Sequence, residues 1–403
     1  MPTLHLLAAG SNATNQLALA PPHPPNEDAH TLTPASFLGT PPGELPEGTT
    51  RVLDIRAGAG HTLALLERAG GTEVWACGDA ARGQLGNIDI DAEGAGAQFR
   101  PLALAGTPTH IAAAWATSYV VLSDDSAGDV VLAFGADDFG LLGGAGPDGT
   151  VSLAHLALPP LRVTALAAGP HHVVLSAHTL TVPKEEVLIG WGAARHGQLG
   201  APPAPSTAPR ILALPTPTPA AGLALGAQHT VLLTPSAPAL VGVGANRAHQ
   251  LDIPADLGEG GQLLGAGATW RTTYAWTRDG VWGTGARAPL PRTPSPGQPT
   301  DQGDGWVRFP GRRIERVACG SEHVLVLLHA DGETGGGGET EVWAWGWNEH
   351  GTLGVGHTRD VDARAPVGVW REGGGERGRA VGVWAGCGTS WVAVERDGPG
   401  ALG

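Results

Sequence analysis

The residues best suited to chemistry in this 403-residue chain are four histidines in one repeated setting. His61, His172, His229 and His323 each stand three positions after a glycine, Gly58, Gly169, Gly226 and Gly320. Recurring imidazoles raise the idea of a ring of metal ligands. Each stands on its own repeat, however, and ligands so dispersed do not converge on an ion bonded at about 2.0–2.1 Å. The simpler reading gives every histidine a hydrogen bond to the turn of its own unit. His171, beside His172, forms no chelate, because adjacent strand residues point to opposite faces. Cys77, Cys319 and Cys387 lie far apart and fit small buried residues. The only lysine, Lys184, is followed by Glu185, which excludes a Gly-Lys-Ser/Thr phosphate loop. Gly144, Gly146 and Gly149 have dinucleotide-motif spacing, but Pro147 interrupts them and no helix signal follows. Neither His-Glu-x-x-His nor Cys-x-x-Cys occurs. The expectation is a protein without metal, cofactor or catalytic residues, hence not an enzyme.

Composition narrows the partners. The formal charge of −14 opposes attraction to phosphate backbones and anionic lipid, so neither nucleic acid nor a membrane is expected as a direct partner. Three scattered cysteines argue against a disulfide framework and for a reducing compartment. Met1 to Gly10 has no basic flank, and no apolar run reaches about 18 residues. A soluble intracellular protein is expected, in the cytoplasm and with the nucleus as a second compartment.

Positioning elements follow from two alternating signatures. In the first, a short apolar run ends in Gly with Leu seven residues later: Gly10 and Leu17, Gly78 and Leu85, Gly135 and Leu142, Gly192 and Leu199, Gly244 and Leu251, Gly283 and Leu290, Gly346 and Leu353. The second is the Gly-x-x-His unit, with Trp115 and Ser118, Gly267 and Trp270, and Gly386 and Thr389 in the equivalent places of the remaining copies. Runs such as Thr230-Val231-Leu232-Leu233 read as short strands ending at glycine turns, about four per unit. A small sheet with two apolar faces must stack on neighbours, and seven stacked sheets close into a ring. The expected fold is therefore all-β, a seven-bladed β-propeller of four-stranded blades. The chain starts with one signature and ends with the other, so strands from both termini should close the last blade. Residues 1–403 read as one propeller domain of about 58 residues per unit. The surplus over roughly 40–45 residues per blade is assigned to loops at about 21–48, 91–108, 200–220, 286–304, 332–340 and 372–378.

The combination Trp191-Gly192 with Gln198-Leu199-Gly200, and Ala318-Cys319-Gly320-Ser321-Glu322-His323, resembles the regulator of chromosome condensation repeat family. Within it, Gly10-Ser11-Asn12 near the start and Trp345-Gly346-Trp347-Asn348-Glu349-His350-Gly351 near the end are similar to the fungal alpha-tubulin suppressor, or killer-toxin-insensitivity, propellers. That resemblance implies binding to a small metal-binding protein of diphthamide synthesis, and through it support of elongation-factor diphthamide and Elongator-dependent tRNA wobble-uridine modification. The alternative implied by the wider family is a guanine-nucleotide exchange factor for a Ran-like small GTPase. The family's photoreceptor motif Gly-Trp-Arg-His-Thr is absent. A monomer or heterodimer is expected.

Trp75, Trp191, Trp282, Trp343 and Trp345 precede the glycine turns and read as core. Partner-binding candidates are residues that break the repeat's own rule: Trp115 in place of Gly, Trp270 in place of His with Arg271 after it, and Trp391 beside Ser390. Gathered at the funnel mouth they would form Trp/Arg anchors; packing of the ring's centre is the competing use. A second set lies just after the glycine turns: Asp79, Arg82, Asp137, Asp138, Phe139, Arg195, His196, Trp347, Glu349 and His350, with Glu322 as a further acidic contact.

Overall fold

The computed structural model describes residues 3–88, 97–213, 222–235, 239–258, 262–288, 305–330, 339–372 and 378–396. Their strands form seven antiparallel sheets. The first blade shows the plan: Thr49–Ala57 lies at the axis, followed outward by His61–Arg68, Gly71–Gly78 and Arg100–Pro101. Blades two to six begin at Thr107, Leu161, Gly222, Gly265 and Arg312. In the seventh, Arg379–Ala385 and Thr389–Arg396 are joined by Thr3–Gly10 and Ala29–Pro34 from the other end of the chain. Thr3–Gly10 pairs with Thr389–Arg396 without a slip, from Thr3 opposite Arg396 to Gly10 opposite Thr389. Both termini thus close one blade.

Five sheets have four strands, whereas the second and fourth have three among the described residues. In the second, the outer strand shrinks to a bridge between Leu132 and Thr150, flanked by bonds from Ala133 N–H to Gly149 C=O (2.8 Å) and Val151 N–H to Val131 C=O (2.8 Å).

Side-chain alternation explains why the ring closes. Along His323–Ala330, Val324, Val326 and Leu328 pack on the fifth blade with Tyr274, whereas Leu325 and Leu327 pack on the seventh with Val383 and Val392. Such a strand feeds two gaps, each full burial of a Val or Leu contributing about 1.5–3 kcal/mol. Every one of the seven gaps holds an apolar cluster of its own, including that between blades seven and one, where Leu6 and Trp391 meet Ile55, Leu66 and Trp75.

One hydrogen bond, repeated in all seven blades, fixes the true repeat register. The residue after each turn glycine donates its N–H to a carbonyl two residues beyond the inner turn: Ser11 to Gly388, Asp79 to Gly60, Ala136 to Ala116, Ala193 to His171, Ala245 to Gln228, Ala286 to Arg271 and Trp347 to Glu322, at 2.7–3.1 Å. This corrects the alignment expected from sequence in two blades. The counterparts of Gly58 and His61 are Ala114 and Thr117, not Trp115 and Ser118, and Thr269 and Thr272, not Gly267 and Trp270; the N–H of the first member bonds the carbonyl of the second at 2.8–2.9 Å in each. In the fifth blade the turn glycine is Gly285 (φ +132°), two residues past Gly283. Leu290 lies outside the described residues. Glycine is required at these turns because φ is positive and a Cβ has no room: on Gly78 it would strike the Gly60 carbonyl.

Several segments read as loops carry outer strands instead. Residues 21–48 contain Ala29–Pro34 and the buried Phe37, 200–220 contain Ala204–Ile211, and 91–108 contain Arg100–Pro101. An outermost strand has one edge in solvent, so it tolerates proline and lacks apolar alternation. Most of 286–304, 332–340 and 372–378 lies outside the described residues.

Candidate functional site

The histidines are structural ties between blades. His172 Nε2 hydrogen-bonds the Thr230 hydroxyl of the next blade at 3.0 Å, His229 the Thr273 hydroxyl at 3.1 Å, and His323 the Ser390 hydroxyl at 3.1 Å. The Thr273 proton is already given to the Gln250 carbonyl (2.7 Å), so His229 Nε2 is the donor. The expected bond within each unit's own turn is thus replaced by one across the gap. His61 is the exception: Ser118, beside it in the next blade, donates to the Gln84 carbonyl, and neither ring nitrogen of His61 has a partner. Burial pushes His61, His229 and His323 down to about 4, and burial with the neighbouring His229 and His171 pushes His172 to about 3. Among the described residues, no group of three or more His, Cys, Asp or Glu side chains is placed to hold a metal.

With the register corrected, Trp115 and Trp270 occupy the same repeat position, immediately after the inner turn residue, where the other blades have Ala59, Pro170, Ala227, Ser321 and Cys387. Backbone bonds run round the mouth through this position. Ala59 N–H donates to Trp115, Trp115 to Pro170, Ala227 to Trp270, and Trp270 to Ser321, at 2.7–3.0 Å. Pro170 interrupts the circuit because it has no N–H. Although the tryptophans come from the second and fifth blades, which are not neighbours, their ring centroids are 6.2 Å apart, so they meet across the mouth of the axial funnel. Trp115 is 41% exposed. Its ring also approaches His171 (6.1 Å), which packs against the exposed Phe139 at 4.9 Å. The outcome is a row of four rings, Trp270, Trp115, His171 and Phe139, crossing one face of the propeller. Burial lowers the His171 pKa, with Asp138 opposing, which favours the uncharged ring.

Charged candidates lie on this same face, because inner turns and post-glycine loops leave the sheets at one end. Glu322 receives Arg271 at 3.0 Å and Arg287 at 2.8 Å, and Arg287 also reaches Asp360 at 2.8 Å. Asp138 pairs with Arg82 at 2.7 Å, tying the first blade to the second. Asp137 accepts the Leu142 N–H at 2.8 Å, the turn-holding role that Asn12, Asn246 and Asn348 fill elsewhere. Asp79 accepts from Ala81 N–H and the Gln84 side chain, both at 2.8 Å. His196 N–H is held by Gln198 at 2.9 Å. The three acidic candidates expected to meet a partner's basic groups therefore already have partners within the chain. Arg195 and Glu349 are exposed. Trp347 packs against His350 (5.2 Å), whose Nδ1 lies 2.6 Å from Asp28, at the seam between the sixth and seventh blades.

Trp391 is corrected. It is fully buried beside Phe99 (5.7 Å) between the seventh and first blades, since its strand position points into the gap and not toward the mouth. Sequence reasoning left His171 out of the candidate surface. Its repeat position, shared with Arg271 and Glu322 and occupied by glycine or alanine in three other blades, is the signal that identifies it.

Fold and ring together define a seven-bladed β-propeller closed by both ends of its chain. A family description, the regulator of chromosome condensation (RCC1) repeat, matches residues 314–352. Across 312 residues the chain is 28% identical to the ultraviolet-B receptor UVR8 of Arabidopsis thaliana, covering 77% of this chain but only 56% of that receptor. It is 26% identical over 358 residues to a secretion-regulating guanine nucleotide exchange factor of Bos taurus, covering 78% and 70% of the two chains. The structure of Prp20p of Saccharomyces cerevisiae, described with its binding to Gsp1p and histones, superposes with a TM-score of 0.69 at 17% identity, covering 98% of this chain and 92% of that one. That last likeness concerns fold alone.

Proposed function

We propose that this chain is a non-catalytic binding platform that receives a protein partner on the face bearing the Trp115–Trp270 pair. The carrying observation is that two partly exposed tryptophans from blades that do not touch meet across the funnel mouth, on backbone held by hydrogen bonds. Rigid aromatic side chains lose little freedom on binding and dominate interface energies. Arg271 extends the surface, and its pairing with Glu322 fixes its head group. The partner proposed first is the small metal-binding protein of diphthamide synthesis, with Elongator downstream, in the cytoplasm and secondarily the nucleus; its support is the Trp345–Gly351 segment. The second partner reading is a Ran-like small GTPase, favoured by the likeness to an exchange factor and to a propeller described as binding Gsp1p.

One experiment separates them. The purified chain is mixed with each candidate and run by size-exclusion chromatography, and labelled-nucleotide release is followed for the GTPase. A stoichiometric complex with the metalloprotein and unaltered nucleotide release supports the first reading; accelerated release supports the second. Equal recovery of partners by wild type and by a Trp115→Ala, Trp270→Ala double variant removes the proposed surface.

A further inference from the structure

Beneath the tryptophan pair the funnel continues as an axial cavity of about 390 Å³. Its wall is mostly alanine and glycine, because each inner strand turns small residues toward the axis: Ala57 and Gly58, Ala113 and Ala114, Ala318 and Gly320. Small residues hold the walls apart and leave a space within the range of small-molecule sites. Among the described lining residues three are charged, Asp54, Arg56 and Arg316. Their formal sum is +1, in a chain whose net charge is −14.

The end of the cavity opposite the tryptophans carries a guanidinium, Arg316, that is ion-paired with Asp54 but makes no hydrogen bond among the described residues. Asp54 is already committed, one oxygen to Arg56 Nε (2.7 Å) and the other to Ile55 N–H (3.0 Å). Arg316 stands 3.6 Å from Asp54, beyond hydrogen-bond reach, with its guanidinium 4.8 Å from the centre of the Trp384 ring. A guanidinium has five N–H donors in a planar fork that matches a carboxylate. Those of Arg316 are spent on no hydrogen bond, and burial lowers its basicity while Asp54 opposes the shift. Trp384, which lines the same cavity and is 4% exposed, has an indole N–H with no acceptor. Of the two groups only the Trp384 indole is a buried donor without an acceptor, which is uncommon in folded proteins; the Arg316 side chain is 37% exposed and lines the cavity, so a ligand can reach its fork without breaking a hydrogen bond.

We propose that the axial cavity is a binding site for a small organic carboxylate, its head group on Arg316 and its apolar body along the alanine wall. Charge decides the sign, the planar fork decides the head group, and the small-residue wall decides the body. Trp115 and Trp270 line the mouth of this cavity, but the head-group site lies at its other end, so its test does not depend on a protein partner.

The test uses benzoate as probe, titrated into the full chain by isothermal calorimetry, with inorganic phosphate run in parallel. The expected result is saturable one-to-one binding that weakens about tenfold or more in Arg316→Met. Ala113→Leu, which narrows the cavity and keeps the arginine, should weaken it likewise and decides the question should Arg316→Met fail to fold. Arg364→Met, at an exposed residue outside the cavity that pairs with Asp362, should bind as wild type does. Absence of saturable heat at millimolar benzoate, unchanged affinity in both cavity variants, or phosphate binding as tightly as benzoate would each overturn the proposal.

Discussion

Lowering the pH from 7.5 to 5.0 should destabilise the ring through its four buried repeat histidines. The native pKa values of His61, His229 and His323 are about 4 and that of His172 about 3, against about 6.5 for an exposed imidazole. A depressed histidine is bound less readily by protons in the folded state, so stability is full above the unfolded value and falls as the pH drops below 6.5. At pH 5 each buried ring costs about 2 kcal/mol relative to neutral pH, and four together about 8 kcal/mol, comparable to the whole stability of many domains. For a chain of this size the melting temperature should drop by roughly 10 °C. Thermal unfolding followed by circular dichroism at constant ionic strength reads it. His172→Gln and His229→Gln keep an amide donor for Thr230 and Thr273 but do not titrate, so the double variant should lose about half of the pH slope. A flat melting temperature between pH 7.5 and 5.0, or an unchanged slope in the double variant, refutes the reasoning.

Four shorter predictions accompany it. Trp391→Ala should cost about 3–5 kcal/mol in denaturant unfolding through the cavity left between blades, whereas the partly exposed Trp115→Ala should cost clearly less and act on partner binding instead. Glu322→Gln should cost no more than about 1 kcal/mol of stability, since its arginine partners are partly solvated, yet it frees the Arg271 guanidinium, while Arg287 keeps Asp360, and should steepen the salt dependence of partner binding. Burial pushes the Cys319 thiol up to about 12 and the Cys387 thiol to about 11, so by thiolate fraction at pH 8 Cys387 should react with a disulfide reagent about a hundredfold, and Cys319 about a thousandfold, more slowly than free cysteine; rapid native-state labelling would contradict the geometry. Deleting Thr3–Gly10 should abolish cooperative unfolding, because Thr389–Arg396 loses the strand paired along its length.

What could be read from the chain depended on how strongly each residue's role is dictated by the backbone. Turn glycines such as Gly78 and Gly346 are irreplaceable where φ is positive and space is absent, so their spacing exposed seven blades and the closure by both ends. Outer strands were invisible: Ala204–Ile211 contains two prolines and faces solvent, so nothing in it alternates. The aromatic mouth was half legible. Trp115 and Trp270 stood out as misfits, but an alignment one residue off in one blade and off by two in the other hid that they share a position. Trp391 looked similar in the sequence, and only strand direction separates it from them, because its neighbour Ser390 faces the His323 tie while its own ring enters the core. The histidine ties were missed as inter-blade bonds because their hydroxyl partners, Thr230, Thr273 and Ser390, belong to the following unit.

The splice of Thr3–Gly10 onto Thr389–Arg396 also sets a timetable for biosynthesis. Thr3–Gly10 leaves the ribosome long before its mate Thr389–Arg396, and at about 5–20 residues per second it waits on the order of tens of seconds with a bare edge. Over that interval Leu6 and Leu7, both buried in the finished ring, are available to any chaperone or neighbouring nascent chain that offers a strand.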